Sequence, residues 1–252
     1  MSPTLVEVCC ESLHGAMAAQ ENGADRIELN AGIELGGLTP TLSLLRQVKA
    51  ATNIPVICMV RPRGGNFYYS SSEFDLMQQE ARLLIENDAD GLAFGILNPD
   101  LTIDHKRNQT LIEICGSRQR VFHRAFDCSA DLSLAISELI HLKFDRVLTS
   151  GGQPTAMDGA DVIQHIIGDF GDQIEVLPGS GIRPENAALL VKKTGCRQIH
   201  GTFQSTITTG VQLNSRINFH PGPHLAADEI RQTDGELIHK TIANLKQGLP
   251  TA

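Results

Sequence analysis

The feature that most constrains this chain is a regular alternation, repeated from end to end, of short β-branched runs with longer stretches of helical periodicity. The runs are Leu5–Cys9, Arg26–Asn30, Val56–Arg61, Gly91–Phe94, Val121–Ala125, Arg146–Thr149, Ile174–Leu177 and Gln198–Gly201. Between them apolar residues recur at helical spacing, as in Leu42, Leu45 and Val48, and again within 74–87 around Leu83 and Leu84. Several helical stretches end alike, in Asn22-Gly-Ala-Asp25 and Asn87-Asp-Ala-Asp90, where Gly or Asn closes a helix before the next strand starts. Strand-helix alternation requires parallel pairing with right-handed crossovers. Eight such repeats in 252 residues predict an α/β fold, a single (β/α)8 barrel, which typically needs about 250 residues. A doubly wound open sheet is the structural rival.

The barrel is expected over about 4–205, followed by a C-terminal loop and helix over 214–248. Residues Asn214 to Asp234, which include His220-Pro-Gly-Pro-His224, read as a loop crossing the barrel mouth, and Gly235–Gln247 as a last helix. No Pro- or Ser-rich linker divides the chain, so one domain is expected.

A formal charge of -8, with no basic run, argues against nucleic acid or an anionic membrane as partner. No apolar run reaches the ~18 residues of a membrane span, and the first residues lack the pattern of a signal peptide. The six cysteines (Cys9, Cys10, Cys58, Cys115, Cys128 and Cys196) show no CxxC spacing, which suits reduced thiols and a cytoplasmic location.

Alternate strand residues face the helices or the barrel interior. With Val6, Val8, Ile27 and Leu29 toward the helices, Glu7, Cys9, Arg26, Glu28 and Asn30 point inward. The fifth run adds His123 and the eighth His200, while Arg61 opens Arg61-Pro-Arg63-Gly-Gly-Asn66 at the end of the third. Buried charges are costly unless paired, so this interior needs a reason. An ion-pair layer filling the lower barrel is one, and Arg26 with Glu7 or Glu28 would serve. A functional pocket at the C-terminal strand ends is the other, drawing on Arg61, Arg124, Asp127 and His200.

Three kinds of chemistry remain open there. Glu7, Glu28, His123 and Asp127 could move protons. Arg61, Arg63 and Arg124, with Gly179, Gly181 and Gly201 in Pro178-Gly-Ser-Gly-Ile-Arg-Pro184 and His200-Gly-Thr202, could hold a small anionic metabolite, although glycines also simply make tight turns. Cys9, at a strand end, is the thiol best placed for a soft ion such as Cu(I), although free cysteines are common in cores; Glu7, Glu28, His123 and His200 could instead hold a harder divalent ion. No lysine lies on a predicted strand, which argues against a Schiff-base aldolase, and no GxSxG nucleophile elbow is present.

Six segments in order resemble the CutC family, named for copper homeostasis. They are Val6-Glu-Val-Cys-Cys10, Gly23-Ala-Asp-Arg-Ile-Glu-Leu29, Gly36-Gly-Leu-Thr-Pro40, Arg61-Pro-Arg-Gly-Gly65, Phe122-His-Arg-Ala-Phe-Asp127 and Val147-Leu-Thr-Ser-Gly151. The resemblance implies a barrel, a cytosolic location, and copper binding or trafficking rather than turnover, with Cys9 and His200 as candidate metal residues. It is also consistent with a homodimer. The enzymatic alternative is an isomerase, lyase or hydrolase acting on a phosphorylated or carboxylated small metabolite. Two positions depart from the family pattern: the cysteine that often follows Glu-Leu of the second strand is Asn30 here, and the usual Asp after Arg-Pro-Arg-Gly-Gly is Asn66.

Overall fold

The structure is a computed structural model that describes residues 3–211, 225–226 and 228–247. Eight short strands form its centre: β1 (Leu5–Cys10), β2 (Arg26–Leu29), β3 (Val56–Met59), β4 (Gly91–Phe94), β5 (Gln119–Phe122), β6 (Arg146–Thr149), β7 (Glu175–Pro178) and β8 (Gln198–Gly201). Helices α1 (Leu13–Glu21), α2 (Leu42–Ala51), α3 (Ser71–Glu86), α4 (His105–Cys115), α5 (Leu132–His141), α6 (Ala160–Phe170) and α7 (Ala187–Thr194) connect them. Every strand from β1 to β7 pairs in parallel with its successor or predecessor, and β1 also pairs with β8. A parallel bridge between Gly179 and His200 joins the remaining edge, so the sheet closes as a (β/α)8 barrel.

The strand parity divides the apolar residues into two compartments. Val6, Val8, Cys10, Ile27, Leu29, Val56 and Cys58 belong to the large core between sheet and helices. Inside the barrel, Ile57, Met59, Ala93 and Val121 form a small separate cluster on the β3–β5 side. The interior of β1, β2 and β8 is instead polar: Glu7, Arg26, Glu28, Gln198 and His200 are all buried.

Helix starts follow local side-chain chemistry. Ser12 caps α1 by accepting from the Gly15 N–H, and Ser70 with Glu73 forms a reciprocal capping box at α3. In the turn after α1 the left-handed residue is Gly23 (φ 89), as expected; after α3 it is Asp88 (φ 65), one position beyond Asn87. The acidic residues that follow do a separate job. Asp25 accepts the Val6 N–H at 2.8 Å, Asp90 the Val56 N–H at 2.8 Å, and Asp145 the Arg120 N–H at 2.8 Å. Each therefore closes the start of a neighbouring strand.

The region after β8 differs from expectation. β9 (Gln204–Thr208) leaves β8 almost directly and pairs antiparallel with β10 (Glu229–Thr233) before α8 (Gly235–Gln247). The part of the expected mouth loop at 229–233 is thus a strand, because Gln204 to Thr208 supply an antiparallel partner. The His220–His224 segment lies outside the described residues. Among the described residues no helix is long and apolar enough to cross a membrane.

Candidate functional site

The polar side of the lumen is a connected cluster. Strand register sets Glu7 beside both Arg26 and His200, and Cys9 beside Glu28. Arg26 donates to one Glu7 oxygen and, at 2.9 Å, to Gln198. The other Glu7 oxygen accepts from His200 Nδ1 at 2.8 Å, which turns His200 Nε2 toward Glu28 Oε2, 3.8 Å away. Asn30 Nδ2 donates to Glu28 Oε2 at 2.8 Å and to Cys9 Sγ at 3.2 Å. Ligand-type atoms of Cys9, Glu28 and His200 all lie within 4.8 Å of one another. Glu28 Oε1 and Asn30 Oδ1 are buried without a hydrogen-bond partner.

Charge is distributed unevenly over this cluster. Burial alone would raise Glu7, but Arg26 and His200 outweigh it and hold its carboxyl well below the usual range. Glu28, which lacks an arginine, is raised by burial, with the Glu7 charge adding to the shift and His200 opposing it. Burial would lower His200, yet the Glu28 and Glu7 carboxylates more than compensate and raise it. Burial first, then the Glu28 charge, pushes the Cys9 thiol up. One carboxylate is thus fixed as an anion that orients the imidazole, while the second faces an imidazole and a thiol.

His123 stands apart from that cluster. It follows β5, where the chain turns, and its Nδ1 accepts the Ala125 N–H at 3.2 Å. Its ring lies 4.9 Å from Phe67, and its Nε2 has no partner. Burial, then the nearby Arg61 charge, lowers its pKa to about 3. It is therefore a neutral imidazole whose Nε2 carries the proton.

The arginines after β3 and β5 have other partners than a ligand. Arg61 donates to the carbonyls of Leu35 (2.9 Å), Gly37 (3.0 Å) and Gly65 (2.8 Å) and stacks on Phe67. Arg63 pairs with Glu73 at 2.5 Å, donates to the Tyr68 carbonyl and stacks on Tyr69. Arg124 reaches the mouth but bonds Asp127 and Ser150, both at 2.7 Å. Asp127 accepts from Thr149 Oγ1 (2.5 Å), the Ser150 N–H (3.0 Å) and the Gly152 N–H (3.1 Å), which pins the loop after β6. These residues build the mouth; the geometry gives Asp127 no free oxygen for proton transfer.

The three glycines also differ. A Cβ on Gly179 would press on Leu148 at 2.7 Å, and one on Gly201 would meet the Phe203 ring at 2.7 Å, so both serve close packing. Gly181 (φ 69) is exposed at the rim. Not anticipated from the sequence are the hydrogen bonds by which Asn30, expected inside the barrel, joins Glu28 to Cys9, and Arg183 and Arg231 at the mouth. Arg183 sits inside the glycine motif already singled out, so its side chain was open to notice. Arg231 lies on a hairpin strand whose polar, partly exposed sequence carries no strong strand signal.

These groups surround a cavity of about 580 Å³ at the C-terminal strand ends, with Cys9, Glu28, Asn30 and His200 at one end and Ser180, Gly181, Arg183 and Arg231 among its other walls. Fold and site together define a (β/α)8 barrel of the binding-pocket type, with a buried thiol–carboxylate–imidazole cluster under its mouth. The model of the CutC family matches residues 4–205, and the chain belongs to that family. A CutC family protein of Treponema denticola is 50% identical over 195 residues, which covers 77% of this chain and 79% of the relative. The human copper homeostasis protein cutC homolog is 40% identical over 84% of this chain and 77% of its own length. The crystal structure of the CutC protein of Streptococcus agalactiae superposes with a TM-score of 0.75 at 30% identity, covering 79% of this chain and 98% of that one.

Proposed function

We propose that this chain is a copper homeostasis protein that binds Cu(I) at Cys9 and His200, with Glu28 alongside, as a carrier or buffer rather than a catalyst of turnover. The observation that supports this most is the convergence of a thiol, an imidazole and a carboxyl from three strands within 4.8 Å. A thiolate and an imidazole are ligands that suit Cu(I), and the Glu7–His200 hydrogen bond is the kind of carboxylate contact that orients a metal-binding histidine. The name of the human relative, which refers to copper homeostasis, agrees with it. Six free cysteines, five of them buried, suit a reducing cytoplasm.

Both candidate ligands carry a proton more tightly than usual, so Cu(I) must displace protons and its affinity rises with pH. Asn30 Nδ2 lies 3.2 Å from Cys9 Sγ, where the family pattern often has a cysteine. A second thiol there would complete a two-thiolate site. The test is a Cu(I) competition titration under reducing conditions. Wild type is expected to take one ion per chain; Cys9→Ser and His200→Gln should each weaken it at least tenfold, and Asn30→Cys should tighten it by a similar factor. Equal affinity in Cys9→Ser and wild type overturns the proposal.

A further inference from the structure

The cavity above this cluster is far larger than one metal ion requires, and much of its polar lining has no role in holding copper. Three residues of its wall carry buried polar atoms without a partner: the acceptors Glu28 Oε1 and Asn30 Oδ1, and the Nε2–H donor of His123. Buried polar groups are nearly always satisfied, so three orphans on residues that line one cavity point to a ligand with both hydroxyl donors and an oxygen acceptor, met once these side chains turn toward it. Elsewhere on the lining, Arg183 and Arg231 are both exposed, and neither guanidinium makes a hydrogen bond or ion pair with any described residue. They differ in this from Arg61, Arg63 and Arg124, each of which donates to several groups of the protein itself. Between the two ends the lining is partly apolar, through Met59, Phe67 and Leu148.

We infer that the cavity binds a small hydroxylated organic anion of the sugar- or polyol-phosphate class, with its phosphate on Arg183 and Arg231 and its hydroxyls on Glu28, Asn30 and His123. Two guanidiniums without a partner among the described residues favour a phosphate monoester, whose oxygens accept paired N–H donors, over a neutral sugar. A volume near 580 Å³ suits a small molecule. The inference is independent of copper, since it rests on different atoms of the same mouth.

The experiment is calorimetric titration of copper-free protein with glycerol 3-phosphate, ribose 5-phosphate and glucose 6-phosphate, with inorganic phosphate and free ribose as controls. At least one ester is expected to bind tenfold or more tighter than either control. The exposed pair Arg183→Ala and Arg231→Ala, combined in one chain, should weaken that ester at least tenfold while leaving Cu(I) affinity within twofold. Cys9→Ser should do the reverse, which separates failure of this site from failure of the copper site. If no ester exceeds inorganic phosphate, or the double variant binds as wild type does, the inference is wrong.

Discussion

The two ring nitrogens of His123 sit in unlike surroundings, and the difference sets a measurable pH dependence. Nδ1 is held as an acceptor by the Ala125 N–H, and burial keeps the ring neutral, with a pKa lowered from 6.5 to about 3. Between those values the unfolded chain takes up a proton that the native one refuses. Stability therefore falls as pH drops from about 6.5 toward 3, by at most ~1.4 kcal/mol per pH unit. Glu7, held low, adds a loss in the same acid direction only as pH falls below its ordinary range. Glu28 and His200, both raised, tilt the other way, since the stability they confer is lost as pH rises through their folded values. Comparing variant with wild type at each pH removes those shared contributions. His123→Asn keeps an acceptor near the Ala125 N–H and cannot titrate, so its urea-unfolding free energy should decline less steeply than that of wild type from pH 6.5 to 5. Parallel slopes would refute this assignment. At this scale parity alone made Glu7, Cys9, Glu28 and His200 legible, because side chains two apart on a strand share a face. The fates of Arg61 and Asp127 were not legible: Arg61 donates to loop carbonyls, and Asp127 accepts from Arg124, two hydroxyls and loop amides, whose positions the residue pattern does not encode.

Element by element, the strands are stitched at their starts by acidic residues that the sequence displays but whose purpose it conceals. Asp25, Asp90 and Asp145 precede β2, β4 and β6, and each accepts the first or second backbone N–H of β1, β3 or β5 in turn. The acidic residue after the helix-ending turn was visible as a recurring sign; that its acceptor serves the neighbouring strand appears only once strands pair. Asp25 is exposed and its contact with Val6 is part-buried, so the loss on removal is about 1 kcal/mol. Asp25→Ala should lower the urea midpoint accordingly, while Asp25→Asn, which retains an oxygen acceptor, should stay close to wild type. Equal losses in both would show that charge, not the hydrogen bond, is what matters. The strands themselves were readable because β-branched runs stand out between helical stretches. The exception is β5, which starts at Gln119 and ends at Phe122 rather than running to Ala125. Its first inward residue is polar because it binds Arg146, and the chain turns at His123, so apolar alternation misplaces both ends.

For the whole barrel, the vulnerable place is the seam between β7 and β8. The backbone joins them through the Gly179–His200 bridge, whereas β1 pairs over four residue pairs with each of its neighbours. Side chains compensate across the lower lumen. Gln198 donates to Glu175 at 3.2 Å, Glu175 accepts from Arg146 at 2.9 Å, and Arg146 donates to Gln119 at 3.1 Å. In the other direction Gln198 accepts from Arg26, which pairs with Glu7. This chain runs from β5 round to β1, and Gln198 is its link over the seam. The charged interior is therefore layered: a fastening below and, above it, the thiol–carboxylate–imidazole cluster proposed to bind copper. Gln198→Leu preserves side-chain size but removes the amide and leaves a buried Arg26 donor unmet, so stability should fall by about 2–3 kcal/mol. The loss should be local in character, with amide hydrogen exchange accelerating first in β7 and β8 and least in α3 and α4. Because His200 stands two residues further along β8, Cu(I) affinity should weaken in the same variant although no ligand has been touched. Protection lost evenly around the barrel, with copper binding intact, would show that the seam is held by something other than this polar chain.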